Sequence, residues 1–558
     1  MRNASALVAA GWAVLVAALG VWVLSHDTAQ LRDQLRRAQF WFLEPQFALL
    51  AGLTIANLPA CARALRLSKG DYLVAGGAAA LALVLAVAVA PRTNRIYYDE
   101  QIYQGIGQNL TDLRLAQMCN DGTVEYGHLQ CWRGEYNKQP YGYPYLLSVV
   151  YRVAGVGYWT APQVNVLAAP LLVGIVFLLA GTLFQDARAA RFAALVAALI
   201  PEHLRWSHTA ASEPMAAVTG ALAVLAAVYF ARARSTAALA WTAVAAAFAL
   251  QFRTESILLV PMIVGAIALW APPELRRCRT WGWGLAAAAL SAALVVHLAA
   301  IRGESWGATG ERLSLAFVLP NLDVNARFYV ADARFPAVYA ALALAGLAAW
   351  RDLRATLFAL AYFLLAAGIY LLFYAGSYNY GADVRYAVMT FPPLAVLAGA
   401  GAAVVARWLE RTAAGPRAEW LVAAALGFQF LAYLPHVRAT GEEAWGARAD
   451  VAFAERVVPR LPRNAIVLTH NPSLFHVMGQ NAAQMSLLMS EPGYAADALF
   501  DRYGGGVYLH WNFWCNVSDP VQQRFCRDAL SRLPHTVVEE ARERDYRFAF
   551  YRLERAAR

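Results

Sequence analysis

Residues 69–100 read KGDYLVAGGAAALALVLAVAVAPRTNRIYYDE: a lysine and an aspartate, some 20 residues almost without polarity, then Pro91, two arginines and the run Tyr97-Tyr98-Asp99-Glu100. An apolar stretch of that length crosses a hydrocarbon core of about 30 Å. Similar runs begin near Ala4, Phe40, Gln163, Pro214, Gly284, Ala355, Tyr386 and Ala418. Across 558 residues, 59% are hydrophobic and only 15% charged, and the mean hydropathy is +0.41. The chain therefore reads as an α-helical polytopic membrane protein. The first run lacks a small-residue cleavage site and is followed at once by a second, so it reads as a helix and not as a signal peptide. A net charge of +10 suggests nucleic acid, but the basic residues are scattered over short turns, as membrane topology requires and nucleic-acid binding does not.

Those turns set the expected orientation. Arg63, Arg66 and Lys69 mark a cytoplasmic loop, as do Arg232 with Arg234, the group Arg276, Arg277 and Arg279, Arg351 with Arg354, and Arg407 with Arg411. The helix after Lys69 then runs outward, and residues 92–140 form a large extracytoplasmic loop. The reading predicts about 13 crossings, with the amino terminus inside and the carboxyl terminus outside. Between Tyr141 and Arg205 three apolar runs compete for two crossings. Either one is short or interfacial, or the turn with Arg188 and Arg191 breaks the rule.

Three parts are expected: two additional transmembrane helices (1–70), a helical core (71–440) and a small extracytoplasmic α/β domain (441–558). From Glu442 onward charges and turn residues rise. Ala465 to Thr469 and Gly506 to His510 are of strand length, Arg547 to Leu553 alternates, and Val521 to Leu533 has helical spacing. Four of the six cysteines fall in the two segments placed outside. Cys119 with Cys131 and Cys515 with Cys526 are expected to form disulfides in an oxidising compartment.

Polar residues at the outer helix ends carry the functional information, because charge beside lipid is retained where it faces a cavity or water. Asp99 and Glu100 offer a general base or a metal ligand, though Asp99 as a helix cap explains the pair equally well. Lys138, in Lys138-Gln-Pro-Tyr-Gly-Tyr-Pro144, is a phosphate partner or an interfacial anchor. In Pro201-Glu-His203-Leu-Arg-Trp-Ser-His208, the two histidines and a carboxylate are metal candidates of weak spacing. Ser212-Glu213-Pro214 opens a helix, where a carboxylate is favoured by the dipole alone. Arg253 and Glu255 stand two apart. Arg385 and Tyr386 follow Tyr378-Asn-Tyr-Gly-Ala-Asp383-Val384 and precede Pro392-Pro393. The triplets beginning at Asn109 and Asn516 match the N-glycosylation pattern and receive no role.

Taken in order, these motifs resemble the GT-C superfamily of membrane glycosyltransferases, nearest to the bacterial Rgt-type sugar transferases, the protein O-mannosyltransferases and the lipid A aminoarabinose transferases. The resemblance covers about Tyr72 to Val405. It implies a polyprenyl-phosphate-linked sugar donor, a lipid, glycan or protein acceptor, and inverting transfer at the extracytoplasmic face of a bacterial inner membrane. It makes Asp99 the base, with Glu100 supporting it or holding a divalent metal, for which His203 and His208 are the other candidates. Lys138, Arg253 and Arg385 would grip the donor phosphate, and Glu213, Glu255 and Tyr386 would orient substrate. The two leading helices and the long cysteine loop depart from the simplest pattern. A transporter or lipid flippase is the rival reading. It is disfavoured because no internal repeat links the halves and the polar residues cluster at one face instead of the midplane.

Overall fold

A computed structural model describes residues 2–305, 307–349, 352–380, 384–411, 415–489 and 492–555. Arg351 of the basic turns, and Gly381, Ala382 and Asp383 of the segment before Arg385, lie outside the described residues.

The helical body begins with α1 (Arg2–Leu24), α2 (Thr28–Ala64) and α3 (Lys69–Ala88). A polar helix α4 (Asp99–Asp112), a hairpin of β1 (Met118–Glu125) and β2 (His128–Glu135), and α5 (Gly142–Ala154) follow. Then come α6 (Pro162–Phe184), α7 (Ala187–Ala198), α8 (Pro201–Arg205), α9 (Glu213–Ala233), α10 (Thr236–Ala249), α11 (Leu259–Trp270), α12 (Cys278–Leu290) and α13 (Ala292–Ala300). The body closes with α14 (Val318–Val330), α15 (Ala337–Ala349), α16 (Leu353–Leu372), α17 (Phe391–Glu410), α18 (Ala418–Leu431) and α19 (Leu434–Arg438).

Among the described residues seven helices are long and apolar enough to cross a membrane, or eight if α12 and α13, bent by 46°, are one span. Three further apolar helices are shorter. The expected count of 13 is not reached by length, because kinks and single turns break several apolar runs; α18, for one, has only 14 residues.

The competition between Tyr141 and Arg205 is resolved by α5. Arg188 bonds Glu410 (2.7 Å) and Glu419 (2.5 Å). Arg191 bonds Glu419 and Asp71, and Arg407 pairs with Asp186. These ion pairs gather the start of α3 and the ends of α6 and α17 at one end of the body. Between leaving that end by α3 and returning by α6 the chain needs no further crossing, and the 13 residues of α5 span only about 20 Å.

The helix α2, at 37 residues, is roughly 55 Å long and overruns the bilayer. Its first turns reach the opposite end, where Arg32 meets Glu304 at 2.6 Å and Arg36 meets Gln117 at 2.9 Å. Farther along, Glu44 holds Tyr145 (2.5 Å) and Arg152 (3.0 Å) of α5. The helix α2 thus braces α5 and the loop before it.

The C-terminal part is α/β: α20 (Trp445–Val457), β3 (Ile466–Thr469), α21 (Pro472–Val477), β4 (Asn481–Gln484), α22 (Pro492–Arg502), β5 (Val507–Trp511), α23 (Pro520–Ser531), β6 (His535–Glu543) and β7 (Tyr546–Leu553). The strands and helix expected there are β3, β5, β7 and α23. Its sheet does not stop at the domain's own residues, as a self-contained 441–558 would. Seven strands run in the order β2-β1-β4-β3-β5-β7-β6, so the hairpin of the 92–140 loop supplies one edge. It joins antiparallel through Asp121 with Ala483 and Gly122 with Ala482, because the short β4 otherwise leaves an open row of backbone donors and acceptors. Both expected disulfides are present, Cys119–Cys131 and Cys515–Cys526.

Candidate active site

The charged residues singled out at helix ends converge although they come from five chain segments. Asp99 is the first residue of α4, Lys138 precedes α5, and Glu213 opens α9. Arg253 and Glu255 lie at a single 3-10 turn before α11, and Arg385 with Tyr386 at another before α17. Helix starts leave N–H groups unpaired and attract negative charge. Glycine lets two of the segments touch: the Gly142 N–H donates to the Gln251 carbonyl at 2.7 Å, and a Cβ at position 142 would lie 2.7 Å from that same oxygen.

A cavity of about 670 Å³ is lined by Asp99, Lys138, Arg253, Glu255, Arg385 and Tyr386 together with residues no motif identified. Nη1 of Arg385 lies 3.3 Å from Oδ2 of Asp99, and its Nε lies 3.9 Å from Oε1 of Glu213. Arg253 bonds the same Glu213 oxygen at 2.5 Å and also pairs with Glu255, which accepts in addition from the Tyr370 hydroxyl. Glu213 is fully buried and acts as the counter-charge beneath both guanidinium groups. The ring of Tyr386 stacks on Tyr370 with centroids 4.5 Å apart, and the guanidinium carbons of Arg385 and Arg253 lie 5.0 and 5.7 Å from its centroid. Such rings fix the direction of a guanidinium that would otherwise rotate.

The lining also contains Arg302, Arg312, Tyr103, Tyr374 and Tyr380. Among the described residues, Lys138, Arg253, Arg302, Arg312 and Arg385 line the cavity with two carboxylates, Asp99 and Glu255. The cavity is electropositive and suits an anion. Arg302 and Arg312 lie in the irregular link after α13, which no periodic pattern flags. Two arginines in a connection assigned to the same face as Lys138 were the available signal.

Three candidates belong elsewhere. Glu100 does not face the cavity. It is buried, and its carboxylate accepts from the backbone N–H groups of Arg95 (2.6 Å), Ile96 (3.2 Å) and Ala210 (2.6 Å). It ties the turn before α4 to the turn before α9. Burial outweighs those donors and pushes its carboxyl up to about 7. His208 meets the Ala90 carbonyl through Nδ1 at 2.9 Å. His203 is buried in apolar surroundings that push its imidazole down to about 4. With Glu100 occupied by backbone donors, these three do not assemble as a ligand set. The neighbouring Glu202 forms a separate buried cluster with Arg205 (2.9 Å) and His436. Among the described residues the one grouping of three metal-capable side chains is His470, Cys515 and Cys526, and its cysteines are joined in a disulfide.

Residues 138–300 match the family model described as Dolichyl-phosphate-mannose-protein mannosyltransferase. No curated protein sequence matches the chain. Among solved structures, ArnT from Cupriavidus metallidurans bound to undecaprenyl phosphate is similar at 15% identity and a TM-score of 0.54, over 87% of this chain and 98% of that one. Its apo form gives 15% and 0.54 over 85% and 96%. The archaeal oligosaccharyltransferase AglB from Archaeoglobus fulgidus, in complex with an inhibitory peptide and a dolichol-phosphate, is a weaker likeness, at 14% identity and a TM-score of 0.48 over 79% of this chain and 69% of that one. The helical body with its α/β domain therefore shares the fold of ArnT, and residues 138–300 within it resemble the mannosyltransferase family model.

Proposed function

We propose that the protein transfers a sugar from a polyprenyl-phosphate-linked donor to an acceptor hydroxyl, with inversion at the anomeric carbon, at the extracytoplasmic face of a bacterial inner membrane. The observation that carries this reading is one cavity that joins a carboxylate, Asp99, to Lys138, Arg253 and Arg385. That ArnT is described with undecaprenyl phosphate bound supports the donor class. The α/β domain and the disulfides support the outward side.

In this reaction the acceptor oxygen forms a bond to the anomeric carbon as the bond from that carbon to the phosphate oxygen breaks. The hydroxyl proton goes to Asp99, and the electron pair of the broken bond leaves on the polyprenyl phosphate. Proton removal in the transition state is worth about 10² to 10⁴ in rate. The growing phosphate charge is met by Lys138 and by Arg253 and Arg385, the two arginines already oriented by Glu213, Glu255 and Tyr386, so little reorganisation is needed. The pairing with Arg385 occupies one oxygen of the Asp99 carboxylate. A donor phosphate that draws Arg385 toward itself would release Asp99, coupling donor binding to activation of the base.

The test is transfer from a panel of radiolabelled polyprenyl-phosphate sugars by purified protein in lipid, with membrane lipids, glycans and peptides as acceptors, beside Asp99→Asn. Transfer by the wild type that falls about 10³-fold in a folded Asp99→Asn supports both enzyme and base. Undiminished transfer by the variant removes Asp99 as base, and binding of donor without transfer by either protein counts against the reaction.

A further inference from the structure

The side chains of the two residues ahead of Asp99 pack against the α/β domain. The Tyr98 side chain is buried, and its hydroxyl donates to Oδ2 of Asp450 on α20. The other oxygen of that carboxylate lies 2.9 Å from Nε2 of His510 on β5. Nδ1 of His510 is in turn 3.2 Å from the hydroxyl of Thr469 on β3. Asp450 and His510 are both fully buried. The Tyr98 ring lies against Phe513 and Trp514, with centroids 6.0 and 5.9 Å away, and Tyr97 lies 5.5 Å from Phe513. None of these residues lines the cavity.

Two further features make this anchorage matter to Asp99. Tyr97 has a φ of +28°, a conformation an aromatic residue keeps only when its surroundings impose it. Tyr98 caps α4 without any side-chain capping bond, so the first turn of the helix, where Asp99 stands, is held by Glu100 on the preceding backbone and by the Tyr98 anchorage. A buried chain of tyrosine, aspartate and histidine is a poor substitute for apolar packing if cohesion is all that is needed. The hydrogen bond from Tyr98 to Asp450 does fix one geometry, because a buried hydroxyl and carboxylate have few ways to be satisfied.

We infer that Asp450 is a positioning residue for the transfer reaction: through the Tyr98 hydroxyl it sets where the Asp99 carboxylate points, and the α/β domain thereby governs the base without entering the cavity. The inference rests on Asp99 as base, so its test keeps the two apart. Full-length protein in lipid nanodiscs is assayed with the polyprenyl-phosphate sugar on which the wild type turns over, comparing Asp99→Asn, Tyr98→Phe, Asp450→Asn and the Tyr98→Phe/Asp450→Asn double variant. Tyr98→Phe removes one oxygen and keeps the ring, so it is the variant expected to fold unchanged.

The expected result is a fall in kcat of about 10²-fold for Tyr98→Phe with the donor KM within about twofold, and a double variant no slower than Asp450→Asn alone. Wild-type kcat in Tyr98→Phe beside an inactive Asp99→Asn overturns the inference and leaves the base. Equal loss of kcat and rise in KM, tracking a lowered melting temperature, assigns Asp450 a purely structural part. An active Asp99→Asn, or a wild type that transfers nothing, removes the reading beneath it and the inference with it.

Discussion

Nη1 of Arg385 stands 3.3 Å from Oδ2 of Asp99, a contact between residues 286 positions apart in the chain. The same guanidinium reaches Glu213, so one cation joins the candidate base to the buried carboxylate under the cavity floor. Replacing Arg385 by Gln is expected to lower kcat/KM for the donor about 10² to 10³-fold, the range for losing one preorganised charge donor. Arg385→Lys should recover only part of this, since an ammonium cannot serve two carboxylates as a fork. Initial rates at varied donor concentration measure both; equal rates in Gln and Lys variants would mean that charge and shape are immaterial there.

Arg253 serves stability as well as binding. It sits between Glu213 and Glu255 with 15% of its side chain exposed. Arg253→Gln strands these carboxylates and should destabilise the fold by about 3–5 kcal/mol. Glu255→Gln added to it should restore part of the loss. Thermal unfolding of the single and double variants reads the difference, and a single variant as stable as wild type would show that the pair is solvated.

Each disulfide closes a short loop, with separations of 12 and 11 residues, and each is expected to contribute about 3 kcal/mol. Cys119→Ser and Cys515→Ser should each lower the melting temperature, and reductant should lower wild type by more than either variant, each of which keeps one disulfide. Cys61, buried in α2, should remain unlabelled by a thiol reagent until the protein unfolds.

His476 of α21 contributes to the pH dependence of stability. Burial pushes its imidazole down from 6.5 to about 4. The unfolded chain therefore binds a proton between those values that the folded chain refuses, so stability is full above pH 6.5 and is lost as pH falls toward 4. About 3 kcal/mol is at stake for this one group. The slope of melting temperature against pH over that window should flatten in His476→Gln, and an unchanged slope would place the sensitivity elsewhere.

Some of this was readable from the residues and some was not. The apolar runs, the four paired cysteines and the charges at helix starts each leave a local mark, so Asp99, Lys138, Arg253 and Arg385 could be named before their convergence was visible. Glu100 looks identical to Asp99 in sequence. Only the fold shows that one helical step turns it away from the cavity onto three backbone donors. His203 and His208 have neither spacing nor partners to distinguish a buried histidine from a ligand. Arg302 and Arg312 stand in a segment without period, and the hold of Asp450 on Tyr98 links residues 352 positions apart. Pairings at that distance follow from topology, which local pattern does not encode.

The shared sheet also dictates an order of events during synthesis. Asp121 of β1 finds Ala483 of β4 only after the ribosome has made every helix in between, so the hairpin must wait as an unpaired edge while the body inserts. Its disulfide, Cys119–Cys131, closes within the hairpin and can form during that wait, keeping the strands in register for a late partner. The same sheet bears His510 beneath Asp450 and Tyr98, so a chain whose sheet has not assembled carries its cavity residues without that anchorage.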